Sequence, residues 1–321
     1  AASYGEYVEE FFAETNATMA AAPDVLCMDA YPFFWLSDMS RNVSTDGYHR
    51  NLEVLRDASL RHGVPFWNFF NAMPFNNHLA PSEGQIAWQA FTSLAWGAKG
   101  VLYFTYWSPG FPPPPGAGHP SLSALSAVAR DISKTRDDDG TDADAAFGIF
   151  SKGGGLISPV SCGIDGDKVF EPTLQYAYAR RVNSVLLNFG TFLLNATSLA
   201  VWRPDRGHPP PAACPILGLA ETNGAPNGTY LIGVFSVPAG AAGGGRSSAA
   251  RGTATGVLVQ NQRFDRELWP TVTLRDGVAA KLWEVDESSG VLRLVRDDSP
   301  GMPGLQMALG PGMARLLVVL P

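Results

Sequence analysis

The chain is poor in the residues that metal sites, disulfide frameworks and nucleic-acid surfaces require. Its three cysteines, Cys27, Cys162 and Cys214, are scattered through 321 residues with no CxxC spacing. Its five histidines form neither HExxH nor any paired spacing. No metal ligand set is expected from these residues. Charged residues make up 17% of the chain and the net charge is −7, which argues against a nucleic-acid partner. No apolar run reaches the roughly 18 residues that a membrane-spanning helix needs. Between Val64 and Pro81 there is no Asp or Glu at all. The triple glycine at residues 153–155 lacks a following GK[ST] and is no phosphate loop.

What is present is a series of helix and strand signals. Residues 81–107, PSEGQIAWQAFTSLAWGAKGVLYFTYW, open with Ser82 and Gln85 at capping-box spacing, which predicts a helix start. Ala87, Ala90, Phe91, Leu94 and Ala98 recur at helical period. Gly97 and Gly100 interrupt it, and GVLYF continues without polar alternation, as a parallel strand covered on both faces does. The strand ends in Thr105, Tyr106 and Trp107. Two similar units precede it. Residues 24–29 (DVLCMD) form a strand ending in Asp29, Tyr31 and Pro32. A helix is expected over residues 48–62, with Leu52, Leu55 and Ala58 inward and Gly63 as its stop. Residues 64–70 (VPFWNFF) are the next strand, followed by Asn71, Asn76 and Asn77. Tyr7, Val8, Phe11, Phe12 and Thr15 mark an earlier helix face. The alternation of helix and strand implies a parallel sheet with right-handed crossovers.

These segments, together with residues 171–194 (EPTLQYAYARRVNSVLLNFGTFLL), resemble the last third of a TIM-barrel glycoside hydrolase of the family 42 β-galactosidase type. The resemblance covers about residues 4–107 and 171–202. It implies an α/β plus all-β fold: strands six, seven and eight of a partial (β/α)8 barrel, with residues 171–194 as the eighth barrel helix. Residues 1–200 would be the barrel part and 201–321 a C-terminal antiparallel β-sandwich. It further implies hydrolysis of O-glycosidic bonds in an oligo- or polysaccharide, such as a β-galactoside, with no cofactor.

Retaining members of that superfamily place two carboxylates about 5–5.5 Å apart. By the resemblance the acid/base belongs to strand four, which this sequence lacks along with strands one to five, so the chain is expected to be an incomplete catalytic domain, inactive alone. The nucleophile would stand near Phe70 or Asn71, where no carboxylate occurs. That departure supports an alternative: a non-catalytic carbohydrate-binding or scaffold protein. Asp29 is the remaining catalytic candidate, acting as a base or orienting a sugar hydroxyl; the other reading is a carboxylate hydrogen-bonded to loop N–H groups. Trp107 resembles a sugar-stacking platform, because pyranose C–H groups pack on aromatic faces. Tyr31, Trp35, Trp67, Asn71 and Tyr106 are further substrate-binding candidates, with Trp67 alternatively in the barrel interior. Glu83 suits the helix macrodipole. Asp38 and Asp46 fall in a long loop after strand six, where Asp46 is expected to cap the next helix.

Residues 109–168 break the pattern. FPPPPGAGHP is stiff, RDDDGTDADAAFG is acidic and turn-rich, and a short helix over residues 122–133 lies between them. The segment reads as a loop insertion without order, or as a lid or partner surface. Beyond Trp202, short alternating runs such as TYLIGVFSV, TGVLVQNQ, TVTLRD, AAKLWEVD, VLRLVRDD and ARLLVVLP predict the sandwich. Asp276-Gly277 and Ser289-Gly290 are expected hairpin turns, and residues 239–252 a flexible loop. Trp269 and Trp283 offer sugar-binding or purely structural roles. Four N-x-S/T sequons, at Asn16, Asn42, Asn195 and Asn227, point to a secreted or secretory-pathway glycoprotein. Cys27 reads as a core residue, and Cys162 and Cys214 as a pair if the protein is secreted. Oligomeric state has no signal in the sequence.

Overall fold

The computed structural model describes residues 3–19, 23–35, 41–43, 45–74, 78, 80–106, 156–162, 168–221, 230–238, 253–275, 282–296 and 305–320. The expected helix at residues 122–133, the flexible loop at 239–252 and the Asp276-Gly277 turn lie outside these residues.

The first half alternates helix and strand. Helix α1 (Tyr4–Met19) is followed by β1 (Leu26–Asp29), a short ribbon of β2 (Phe33–Trp35) and β3 (Arg41–Val43), helix α2 (Thr45–His62), β4 (Phe66–Asn71), helix α3 (Glu83–Ala95) and β5 (Gly100–Phe104). Strands β1, β4 and β5 form a three-stranded sheet in that order, with both pairings parallel. Each crossover is a helix, as the sequence pattern requires. Helix α2 buries Leu52, Leu55 and Ala58 and stops at Gly63, whose φ of 68° only glycine adopts cheaply. The Ser82 capping box forms: the Gln85 N–H donates to Ser82 Oγ at 3.3 Å and the Ser82 N–H to Gln85 Oε1 at 2.8 Å.

Several expectations are corrected. The face of α1 is narrower than predicted. Val8 and Phe12 are buried while Tyr7 and Phe11 are 61% and 41% exposed. Phe12 stacks on His62 of α2 at 4.0 Å, so only the stripe facing α2 is covered. Strand β5 is half-buried along its length rather than covered on both faces. Leu26, Met28, Phe66, Asn68 and Phe70 point to the buried side, whereas Cys27 and Trp67 point to the other and are exposed. Cys27 is therefore no core residue, because strand alternation turns it away from the helices. The stretch after β1 is not a plain loop, since β2 and β3 pair antiparallel.

Past the undescribed residues, β6 (Ile157–Cys162) pairs antiparallel with β7 (Lys168–Pro172). The end of the expected insertion is thus a paired ribbon and not disorder. Glu171 and Pro172 belong to β7, so helix α4 runs from Leu174 to Leu193 and starts later than expected, with Thr173 as its N-cap. Its Oγ1 accepts from the Tyr176 N–H at 3.3 Å.

The C-terminal part is antiparallel throughout. The strands are β8 (Thr197–Trp202), β9 (Ile216–Glu221), β10 (Tyr230–Pro238), β11 (Thr253–Asn261), β12 (Pro270–Leu274), β13 (Leu282–Val285), β14 (Leu292–Arg296), β15 (Leu305–Gln306) and β16 (Ala314–Val319). They make a six-stranded sheet, β14-β13-β16-β11-β10-β8, and a three-stranded sheet, β15-β12-β9. The Ser289-Gly290 turn closes the β13–β14 hairpin, with Gly290 at φ 71°. The two sheets share a core that includes Trp202, Ile216, Tyr230, Ile232, Val259, Val272 and Leu317. Cys214 lies in that core as a free thiol, its pKa raised by burial, so it forms no disulfide with Cys162.

The opposite face of the large sheet is also covered. Leu231, Phe235, Leu258, Val285, Leu316 and Val318 join the core of α2, α3 and α4. Helix α3 is consequently sandwiched between the parallel sheet and β10–β11, and all but two of its residues are buried. A polar seam runs through this contact. His49 on α2 accepts from the Trp96 indole N–H through Nδ1 at 2.9 Å and faces Gln262 Oε1 through Nε2 at 3.0 Å. Gln262 Oε1 also accepts from the Trp88 indole N–H at 3.2 Å. Gln262 Nε2 donates to Gln260 Oε1 at 2.7 Å, and Gln260 Nε2 donates to the Trp88 carbonyl at 2.9 Å. Buried polar groups need such partners.

Candidate functional site

In a parallel β/α sheet, ligand groups collect at the carboxyl ends of the strands. Here those ends carry Asp29 on β1, Asn71 on β4 and Phe104 on β5. The register places Asp29 beside Phe69, and Asn71 beside Phe104. Asp29 is exposed. The Tyr31 phenol, two residues beyond the strand, lies close enough to the Asp29 carboxylate for that carboxylate to raise its pKa. The Tyr31 ring lies edge-on to the His78 ring at 5.2 Å and tilted over Phe104 at 5.6 Å. Phe104 meets Phe69 at 5.7 Å. His78 Nδ1 is 3.2 Å from the Phe33 carbonyl, which can only accept, so Nδ1 carries the proton. Burial lowers the His78 pKa below its usual value.

The arrangement is one carboxylate, one phenol, one imidazole and a wall of rings drawn from four segments of chain. Burial first, and the nearby Asp29 carboxylate second, push the Tyr31 phenol above the ordinary tyrosine range. Burial does the same to Tyr48 and Tyr103. Phenols whose folded pKa is raised bind more protons than in the unfolded chain as pH climbs above about 10. Their contribution to stability is complete below that pH and declines above it. A denaturant series from pH 8 to 11.5, read beside the ultraviolet signal of tyrosinate, should show the midpoint falling once pH passes about 10. There the tyrosines of the unfolded chain ionise while these three stay protonated in the folded one. A midpoint that is flat to pH 11.5 would contradict the burial of all three.

The remaining sequence candidates distribute as follows. Trp67 is 37% exposed on the open face of the sheet, below the tips, with its ring against Gly100. A Cβ at residue 100 would come within 2.8 Å of that ring, so the glycine is required by the packing. Asn71 is buried, and its backbone carbonyl accepts from Gln89 Nε2 at 3.2 Å. Thr105 Oγ1 lies 3.1 Å from Met73 Sδ, and Tyr106 is 60% exposed at the mouth. Trp35 ends β2, its side chain outside the described residues, and Trp107, Asp38, Asn76 and Asn77 lie outside them entirely.

Asp46 does not cap α2. It sits inside the first turn and pairs with Arg206 and Arg203, and the hydrogen bond from Arg206 lowers its pKa. Glu83 pairs with Arg181 of α4, whose Nη2 donates to Oε2 at 2.6 Å. Among the sequons, Asn16 and Asn195 are exposed, the Asn42 side chain is undescribed and Asn227 is outside the described residues. Trp269 is 43% exposed, whereas Trp283 packs against the α/β core. Among the described residues there is no cluster of three or more His, Cys, Asp and Glu that could hold a metal, and no helix long and apolar enough to cross a membrane.

His78 is the member that sequence reasoning missed. Its contacts, Tyr31 and Phe33, lie more than forty residues upstream, so no local spacing marks it. The one available signal was its place in the loop after the second parallel strand, the side on which such sheets bind ligands.

No protein-family model matches the chain, and no curated protein matches it. Solved structures similar to it include glycoside hydrolases. A GH30 endoxylanase from Clostridium papyrosolvens C71 aligns at 7% identity over 99% of this chain and 70% of that one, with a TM-score of 0.26. A GH family 44 xyloglucanase from Paenibacillus polymyxa aligns at 11% identity over 87% and 52%, with a TM-score of 0.23. An α-galactosidase from Saccharomyces cerevisiae aligns at 8% identity over 98% and 94%, with a TM-score of 0.21. Superpositions this loose leave the activity to be argued from the chain's own residues.

Proposed function

We propose that the parallel sheet is three consecutive units of a glycoside hydrolase-like barrel, strands six to eight, and that its tips form a carbohydrate site. The observation that carries this reading is the meeting of Asp29, Tyr31, His78 and Phe104 at the carboxyl ends of parallel strands taken in sequence order. An exposed carboxylate close to a phenol, beside aromatic walls, suits a sugar, whose hydroxyls need acceptors and whose C–H faces pack on rings. Asp29 is the group that meets a substrate hydroxyl or an attacking water. Tyr31, Tyr106 and the Trp107 that follows β5 supply the aromatic surface. The substrate class is an oligo- or polysaccharide, with a β-galactoside as the finer expectation.

A second reading, a binder without chemistry, is favoured by the β4 tip, which ends in the buried Asn71 and offers no carboxylate opposite Asp29. Hydrolysis with retention or inversion needs two carboxylates, about 5–5.5 Å or 6.5–9.5 Å apart. Asp29 is the one carboxylate that the described tips supply. A second would come from further β/α units added at β1, which among the described residues pairs only with β4.

Both readings are tested on the same variant. Binding of a galacto-oligosaccharide, followed by calorimetry, is expected to weaken about tenfold in Asp29→Asn as one charge-assisted hydrogen bond is lost. Unchanged binding with an intact fold removes Asp29 from the site. A panel of nitrophenyl glycosides then separates the two. Turnover that Asp29→Asn cuts about 10²–10⁴-fold supports the hydrolase, and binding with no turnover supports the binder.

A further inference from the structure

The sandwich contains a hollow that the strand-tip site does not use. A cavity of about 160 Å³ opens where β13, β14 and β16 of the large sheet approach β15 of the small one. Its apolar lining includes Leu305, Met307 and Leu317, members or neighbours of the sandwich core. Its polar lining centres on Glu284, whose side chain is only 8% exposed. Arg293 Nη2 donates to Glu284 Oε2 at 2.6 Å, and Arg315 Nη1 lies 3.4 Å from Oε1. Arg315 is held in turn by Glu287, 3.3 Å from Nη1, and by the Ala308 carbonyl, 3.2 Å from Nε.

Apolar residues of like volume would stabilise this part of the sheet as well as a purely structural ion pair. This one instead fronts open space. A carboxylate accepts about four hydrogen bonds and a guanidinium donates five, so both keep unused capacity facing the cavity. Among the described residues the two guanidinium groups are paired with Glu284 and Glu287, so neither stands as an unpaired positive charge that would select an anion. These donors and acceptors share the cavity with apolar lining. The volume corresponds to on the order of ten water-sized probes, room for one sugar ring.

We propose that this cavity binds a single neutral polyhydroxylated ring, a monosaccharide or the end residue of a glycan, with Glu284 accepting from vicinal hydroxyls while Arg293 and Arg315 donate. The assignment does not depend on the strand-tip reading, because none of its residues comes from the parallel sheet.

The experiment is an NMR titration of the full chain with D-galactose, D-glucose and D-xylose, and separately with sulfate. At least one sugar should saturate in the millimolar range and shift resonances of β13–β16. Glu284→Gln, which keeps the shape, and Arg293→Ala, at a residue with a 64% exposed side chain, should each weaken that sugar about tenfold or more. Asp29→Asn should leave it unchanged. If Glu284→Gln fails to fold, the Arg293→Ala arm decides alone. The proposal is overturned if no sugar saturates, if sulfate binds more tightly than any sugar, or if Asp29→Asn abolishes the signal while Arg293→Ala does not.

Discussion

Gly312→Ala is expected to destabilise the protein by about 3–5 kcal/mol, among the largest effects of any single substitution. Gly312 lies in the turn before β16 at φ 67°, and a Cβ there would stand 2.1 Å from the Gly84 carbonyl oxygen and 2.6 Å from the Trp88 amide nitrogen. Both obstacles are backbone atoms of α3, so no side-chain rotation relieves the clash. Gly84 meets the mirror-image problem, with a Cβ falling 2.2 Å from the Phe264 carbonyl oxygen. The helix and the sandwich approach so closely at this point because neither partner carries a side chain. Separation of the two also breaks the seam, since Gln260 Nε2 donates to the Gly312 carbonyl at 3.2 Å. Urea unfolding at pH 7 measures the loss. A change below about 1 kcal/mol would mean that the turn moves freely and that the contact does not couple the two parts, given total stabilities of about 5–15 kcal/mol.

Acidification is expected to cost stability on the order of 4 kcal/mol between pH 6.5 and 3, through His49. Burial holds this imidazole down at about 3, with Arg203 adding to the effect; Arg206 also lowers it, while the Gln262 bond and Asp46 raise it. The geometry explains the direction. An indole N–H can only donate, so Trp96 requires Nδ1 to be bare, and the one proton sits on Nε2 toward Gln262. A second proton would set two donors against each other in a dry site. The unfolded chain binds that proton below about pH 6.5 and the folded one does not. Stability is therefore complete above pH 6.5 and is lost as pH falls toward 3. In His49→Gln the baseline at pH 7 should drop by about 1–2 kcal/mol, and the dependence between pH 6 and 4 should flatten. If wild type and variant lose stability in parallel on acidification, His49 is not the responsible group.

Both effects arise at the junction of the α/β part and the sandwich, and nothing local in the sequence announced it. Ser82, Gln85, Gly63 and the apolar spacing of α2 and α3 were readable because caps and helical period act over three or four residues. The alternating runs of the sandwich were readable because one covered face imposes a period of two. The order helix, strand, helix, strand carried the parallel sheet with it, since a crossover of that length leaves few other topologies. The sequence also showed Asp29 and its aromatic neighbours as a group, because each follows a strand.

The exposure of Cys27, the ion pairing of Asp46, the β6–β7 ribbon and the place of His78 were not readable. Each depends on which distant segment arrives alongside. His49 contacts residues up to 213 positions away, and Glu284, Arg293 and Arg315 meet only because β13, β14 and β16 assemble side by side. Periodicity and capping are properties of neighbouring residues and so are written in the chain. Burial, protonation and the shape of a cavity belong to pairs of surfaces, and those exist only after the helices and sheets have packed.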